Sequence, residues 1–145
     1  MFADFLKRLT KPDPDPLGDT DARLALTALL VRVARTDHDY AVSEAKMIEE
    51  IAMHRFELSK EEATQLLREG EILETEAPDT VRFTRAIKDA VPYEERLGVI
   101  EALWLVVLAD GYRSDEENAL LRLVASLLGV SDTDSARARQ RVASA

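Results

Sequence analysis

Two pairs of acidic residues recur at one spacing in this sequence. Asp37 is followed seven residues later by Glu44, and Asp110 seven residues later by Glu117. Asp39 stands between the first two, and each pair lies at a junction between helical stretches. Carboxylates are hard oxygen ligands that suit Ca²⁺, Mg²⁺ or Mn²⁺ better than softer ions. One Asp and one Glu are too few for a tight site. If the two junctions pack together, however, Asp37, Asp39, Glu44, Asp110 and Glu117 could share one divalent cation. The pattern is not an EF-hand, because a loop of about twelve residues needs a bidentate Glu at its last position. Counted from Asp37 that position is Ile48, and from Asp110 it is Leu121.

Helix punctuation is the competing reading. Gly111 can end one helix. Ser114 and Glu117 then form a Ser-x-x-Glu capping box, with Asp115 and Glu116 well placed near a helix N-terminus. Two features resist this account. Asp110 and Asp37 fall at helix C-terminal ends, where the dipole disfavours a negative charge by about 0.3–1 kcal/mol. The position matching Ser114 in the first half is Ala41, so Glu44 lacks a serine three residues before it. Ser43 could still cap there, leaving Glu44 a first-turn acid. A cation site and a solvated acidic rim both remain open.

The elements that must position these acids read as helices throughout. A short first helix carries Phe2, Phe5, Leu6 and Leu9 on one face, which is expected to pack back onto the domain. Docking to a protein partner, or peripheral membrane association, is the alternative use of that face. Pro12, Pro14 and Pro16 then forbid helix, so residues 1–18 read as a short helix and tether ahead of a domain at 19–145. Asp19, Thr20 and Asp21 are cap candidates for a helix reaching Arg35. The next helix runs from Ser43 to about Phe56. Ser59 and Glu62 form a capping box opening a helix that Gly70 should weaken and that should fade before "TEAPD". Asp79 caps a helix bearing Phe83 and Ile87. Pro92 starts another, Tyr93 to Ala109, whose apolar character on nearly every side makes it the expected central helix. Ser114 to Leu128 follows, stopped by Gly129, and Ser131 opens the last. No stretch alternates with period two, so the fold class is an all-α bundle of about seven helices.

Composition narrows the function classes. The chain has 145 residues, 46% hydrophobic and 32% charged, as expected of one soluble globular domain. A net charge of −9 makes nucleic acid an improbable partner and suits cations or a basic protein surface. There are no cysteines, hence no disulfide, thiolate zinc site or cysteine nucleophile. The N-terminus "MFADFLKRLT" is not a secretory signal, and no apolar run approaches the ~20 residues of a membrane span, so a cytoplasmic location is expected. His38 and His54 match no zinc spacing. Trp104 reads as core. The run "SKEEATQLLREGEILETE" reads as a solvated face. Arg137, Arg139 and Arg141 could meet the chain's own acids or lipid headgroups, with solvation the simpler reading. No nucleophile elbow, Walker loop or dinucleotide fingerprint occurs, so no enzymatic activity is expected.

A repeat underlies the spacing. Each Asp-to-Glu pair is followed by a Ser-initiated helix, at Ser59 and at Ser131, and the Asp-to-Ser distances differ by a single residue. The stretches "ADGYRSDEENALLRLVASLLGVS" and "ARTDHDYAVSEAKMIEEIAMHRFELSKEE" resemble the two motifs of the TerB-like family, named for a tellurite-resistance protein. His38 stands where that family commonly has glycine. The resemblance covers roughly residues 20–142. It implies an all-α bundle of two related helix-turn-helix halves and a cytoplasmic bacterial protein with a stress-related role. It also implies divalent-metal binding through Asp37, Glu44, Asp110 and Glu117. Two functions follow as expectations: a non-enzymatic module holding a cation and a protein partner, or a metal-independent scaffold whose acids are caps and whose N-terminal helix docks a partner.

Overall fold

The computed structural model describes residues 3–10, 19–35, 42–77, 80–108 and 115–144. They form eight helices: α1 (Ala3–Thr10), α2 (Asp19–Ala34), α3 (Val42–Arg55), α4 (Lys60–Glu76), α5 (Thr80–Ala90), α6 (Tyr93–Leu108), α7 (Asp115–Leu127) and α8 (Asp132–Ser144). No strand occurs among the described residues. The all-α expectation holds, with eight helices among the described residues where about seven were expected.

The centre of the bundle differs from the sequence expectation. Residues 24–31 of α2 are buried without interruption, more than two full turns. Helix α2 touches α3, α4, α5, α6 and α7, whereas α6 touches α2, α3, α7 and α8. Helix α6 keeps Glu101 and Leu105 half-buried, so its apolar run does not make it the most enclosed element. Thr27, the polar residue in the buried stretch of α2, donates its hydroxyl proton to the Arg23 carbonyl at 2.7 Å. That bond removes the cost of burying an unsatisfied hydroxyl. Around this axis Phe83, Leu29, Ile48, Leu73, Ile87, Ile100, Leu103, Leu121 and Leu128 are fully buried. Each stabilises the fold by about 2 kcal/mol through removal from water.

Gly70 does not interrupt its helix. It is buried, and α4 runs through it to Glu76, two residues into the "TEAPD" stretch before which fading was expected. A β-carbon at this position would lie 2.8 Å from the Thr27 Cγ2. The missing side chain is therefore what lets α4 approach α2 closely. The helical propensity lost at Gly70 is offset by contact between helices.

Two corners share one construction. At the end of α3, Glu57 adopts φ 54° and the Leu58 amide donates to the Met53 carbonyl at 3.0 Å. At the end of α7, Gly129 adopts φ 74° and the Val130 amide donates to the Ala125 carbonyl at 2.9 Å. Both are left-handed caps closed by a six-to-one bond. A serine follows each: the Ser59 hydroxyl accepts from the Glu62 amide, and the Ser131 hydroxyl accepts from the Asp134 amide, both at 3.1 Å. The capping box of Ser59 is complete, since the Ser59 amide donates back to the Glu62 carboxylate at 2.9 Å.

Two of the four residues on the apolar face of α1 pack inside the molecule, and the side chain of Leu9 lies outside the described residues. Phe5 is buried in the core and Leu6 packs against it, with α1 lying on α5. Phe2 and the caps assigned to Asp79 and Ser114 lie outside the described residues. No described helix is long and apolar enough to cross a membrane.

Candidate functional site

Of the five acids singled out by spacing, Glu44 is fully placed. It is the third residue of α3 and only 1% exposed. Glu117 is the third residue of α7, so the two glutamates hold equivalent places in their helices. An acid in the first turn is favoured by the helix dipole. Asp37, Asp39 and Asp110 lie outside the described residues, as do the side chain of Glu117 and residue His38. Among the described residues, no three His, Cys, Asp or Glu side chains gather as a metal-binding group.

The burial of Glu44 follows from its register. Glu44, Ile48, Ile51 and Ala52 recur at helical spacing, and all four are buried. Position 117 stands in the same relation to Leu121, Val124 and Ala125, each of which is buried. The two sets match place for place: Glu, a large aliphatic residue four later, another at seven, alanine at eight. Reading the glutamate together with its apolar stripe, rather than with its acidic neighbours, is the signal that would have found the buried carboxylate. The helices flanking the two acidic connections also lie together, since α2 touches α3, α6 and α7, and α6 touches α3 and α7.

A second electrostatic cluster was missed by the sequence reading. Glu74, in the run expected to form a solvated face, is only 13% exposed in its side chain. It meets Arg32 Nε at 3.4 Å and Arg35 Nη1 at 2.7 Å. Arg32 also donates to the Glu74 carbonyl at 3.0 Å and lies over the Phe83 ring. This cluster clamps the end of α4 onto the end of α2, and every member is used in packing. Of the basic tail, Arg141 pairs with Glu101 at 2.6 Å and Arg139 stacks over Trp104, while Arg137 is exposed. Trp104 is core, as expected. His54 is an exposed residue at the end of α3.

A helical bundle that buries the first-turn carboxylate of Glu44 defines an all-α domain. The family model described as "Tellurite resistance protein TerB" matches residues 23–140. That span is most of the chain, and the protein belongs to the TerB family. No curated protein and no solved structure matches the sequence.

Proposed function

We propose that this chain is a non-enzymatic TerB-like binding module of the cytoplasm that holds a divalent cation and mediates stress-related protein interactions. Asp37, Asp39, Glu44, Asp110 and Glu117 would supply the oxygen ligands, and Ca²⁺, Mg²⁺ or Mn²⁺ the charge. The observation that carries this reading is the burial of Glu44. A carboxylate held away from water interacts more strongly with a cation than a solvated one does. The two matched helix faces support a build of two related halves, whose packing would bring the acidic turns together. An ion there would fix the orientation of the two turns.

Calorimetry with each of the three cations, on wild type and on Asp110→Ala and Glu44→Gln, tests the proposal. Binding heat and a raised melting temperature are expected for wild type and should be lost in both variants. Cation at a hundredfold its Kd should stabilise the fold by about 2.7 kcal/mol. No heat and an unchanged melting temperature would overturn the reading.

The metal-independent scaffold is favoured by a different observation. Glu44 and Glu117 both stand third in their helices, where an acid stabilises a helix start without any ion. Under that reading Glu44→Gln loses the same stability with and without cation, and Asp110→Ala, expected at a helix C-terminal end, loses none. The burial of Phe5 gives the N-terminal helix a structural task, which counts against its use as a free docking arm.

A further inference from the structure

The last part of the chain reverses its charge. Residues 119–145 hold four arginines and two aspartates as their only charged side chains, in a protein of net charge −9. Two of these arginines share a cavity of about 430 Å³, with Trp104, Asp132 and Ser135 also in its wall. That volume lies within the range of small-molecule sites. Neither Arg122 nor Arg139 forms an ion pair among the described residues, although Arg141 on the same helix as Arg139 does. The Arg139 guanidinium lies over the Trp104 ring, 5.2 Å from its centroid. Stacking on an indole face fixes the guanidinium plane and leaves its in-plane N–H donors for another partner. Arg122 comes from α7 and Arg139 from α8, so the two charges are brought to one space only by the packing of these helices.

We propose that this cavity binds a phosphate-bearing small molecule. The two guanidiniums outweigh the Asp132 carboxylate in the same wall and leave that wall net positive, which suits a phosphate monoester, whose second pKa is about 6. Arginine is also the side chain best shaped for two-pronged contact with phosphate. A carboxylate would need only one of them. The Ser135 hydroxyl can donate to the same group, and Asp132 can accept from a hydroxyl or amine elsewhere on the ligand. The site uses none of the acids of the cation reading, so each can fail without the other.

Trp104 is the single tryptophan, and its emission reports on the cavity wall. Titrating the full chain with inorganic phosphate at constant ionic strength should give a saturable emission change, matched by heat in calorimetry. Arg122→Gln should weaken binding by about tenfold, as expected for loss of charge-assisted hydrogen bonds, without changing the thermal melt. Arg137→Gln removes an exposed arginine of α8 outside this wall and should leave binding intact. An equal response to chloride, an equal loss in Arg137→Gln, or absence of both signals would overturn the site. A response to acetate as strong as that to phosphate would overturn its assignment to phosphate. Binding to phosphatidylglycerol vesicles with none to free phosphate would replace the cavity by a basic surface and overturn it equally.

Discussion

Gly70 of α4 stands directly against Thr27 of α2, where a β-carbon would come within 2.8 Å of the threonine methyl. Thr27 cannot easily turn away, because its hydroxyl is committed to the Arg23 carbonyl at 2.7 Å. Gly70→Ala should therefore destabilise by about 1–2 kcal/mol, the overpacking cost less the gain in helix propensity. Thr27→Ser removes the obstructing methyl and should recover part of that loss in the double variant. Urea melts of the four proteins measure the coupling. A stabilised Gly70→Ala would show that α4 can shift freely on α2.

Glu74 joins the ends of α2 and α4 through two arginines. Glu74→Ala leaves the Arg32 guanidinium, 13% exposed in its side chain, without its carboxylate. A cost of about 2 kcal/mol is expected, in the range of hydrogen bonds to charged groups. Because the pair is sheltered, the loss should change little between low and moderate salt. A salt-sensitive or negligible loss, read by denaturant melts, would mark the cluster as a surface contact.

The capping box at Ser59 gives a pH signature. The Ser59 amide, and then its hydroxyl, hold the Glu62 carboxyl below its ordinary pKa. A depressed folded pKa stabilises fully above the ordinary carboxylate range, and this is lost as pH falls through the lowered value. Glu62→Gln should thus flatten part of the acid limb of a melting-temperature profile. Ser59→Ala should cost about 1 kcal/mol near neutral pH.

Tyr93 shows the opposite sign. Its hydroxyl donates to the Asp134 carboxylate at 2.8 Å, tying the start of α6 to the first turn of α8. This bond, then partial burial, raises the phenol pKa. The contribution is present below the ordinary tyrosine pKa and is lost as pH rises through the raised folded value. Tyr93→Phe should remove that alkaline loss, seen as a flatter stability profile above neutral pH. The difference between the spectrophotometric titrations of wild type and Tyr93→Phe isolates this phenol from the other two tyrosines.

Phe5 anchors α1 in the core. Phe5→Ala should lower stability by about 2 kcal/mol from lost burial, or a melting-temperature drop of about 4–8 °C at 2–4 °C per kcal/mol for a chain of this size. An unchanged melting temperature would instead free the N-terminal helix for a partner.

The sequence by itself determined the helices, their order and their punctuation. Ser59, Glu62, Gly129 and Ser131 act within a few residues of themselves, and the chemistry of a cap is local. The acidic spacing and the family resemblance were legible for the same reason, being patterns along the chain. Only the tertiary structure decided that α2 is more enclosed than α6, that Gly70 is a contact and that Glu74 is clamped by two arginines. It also put Glu44 out of reach of water and brought Arg122 and Arg139 to one cavity. Each of these depends on which helix lies opposite, and a charged residue looks alike in sequence whether it faces solvent or another helix. The burial that sets its energetics comes from partners distant along the chain.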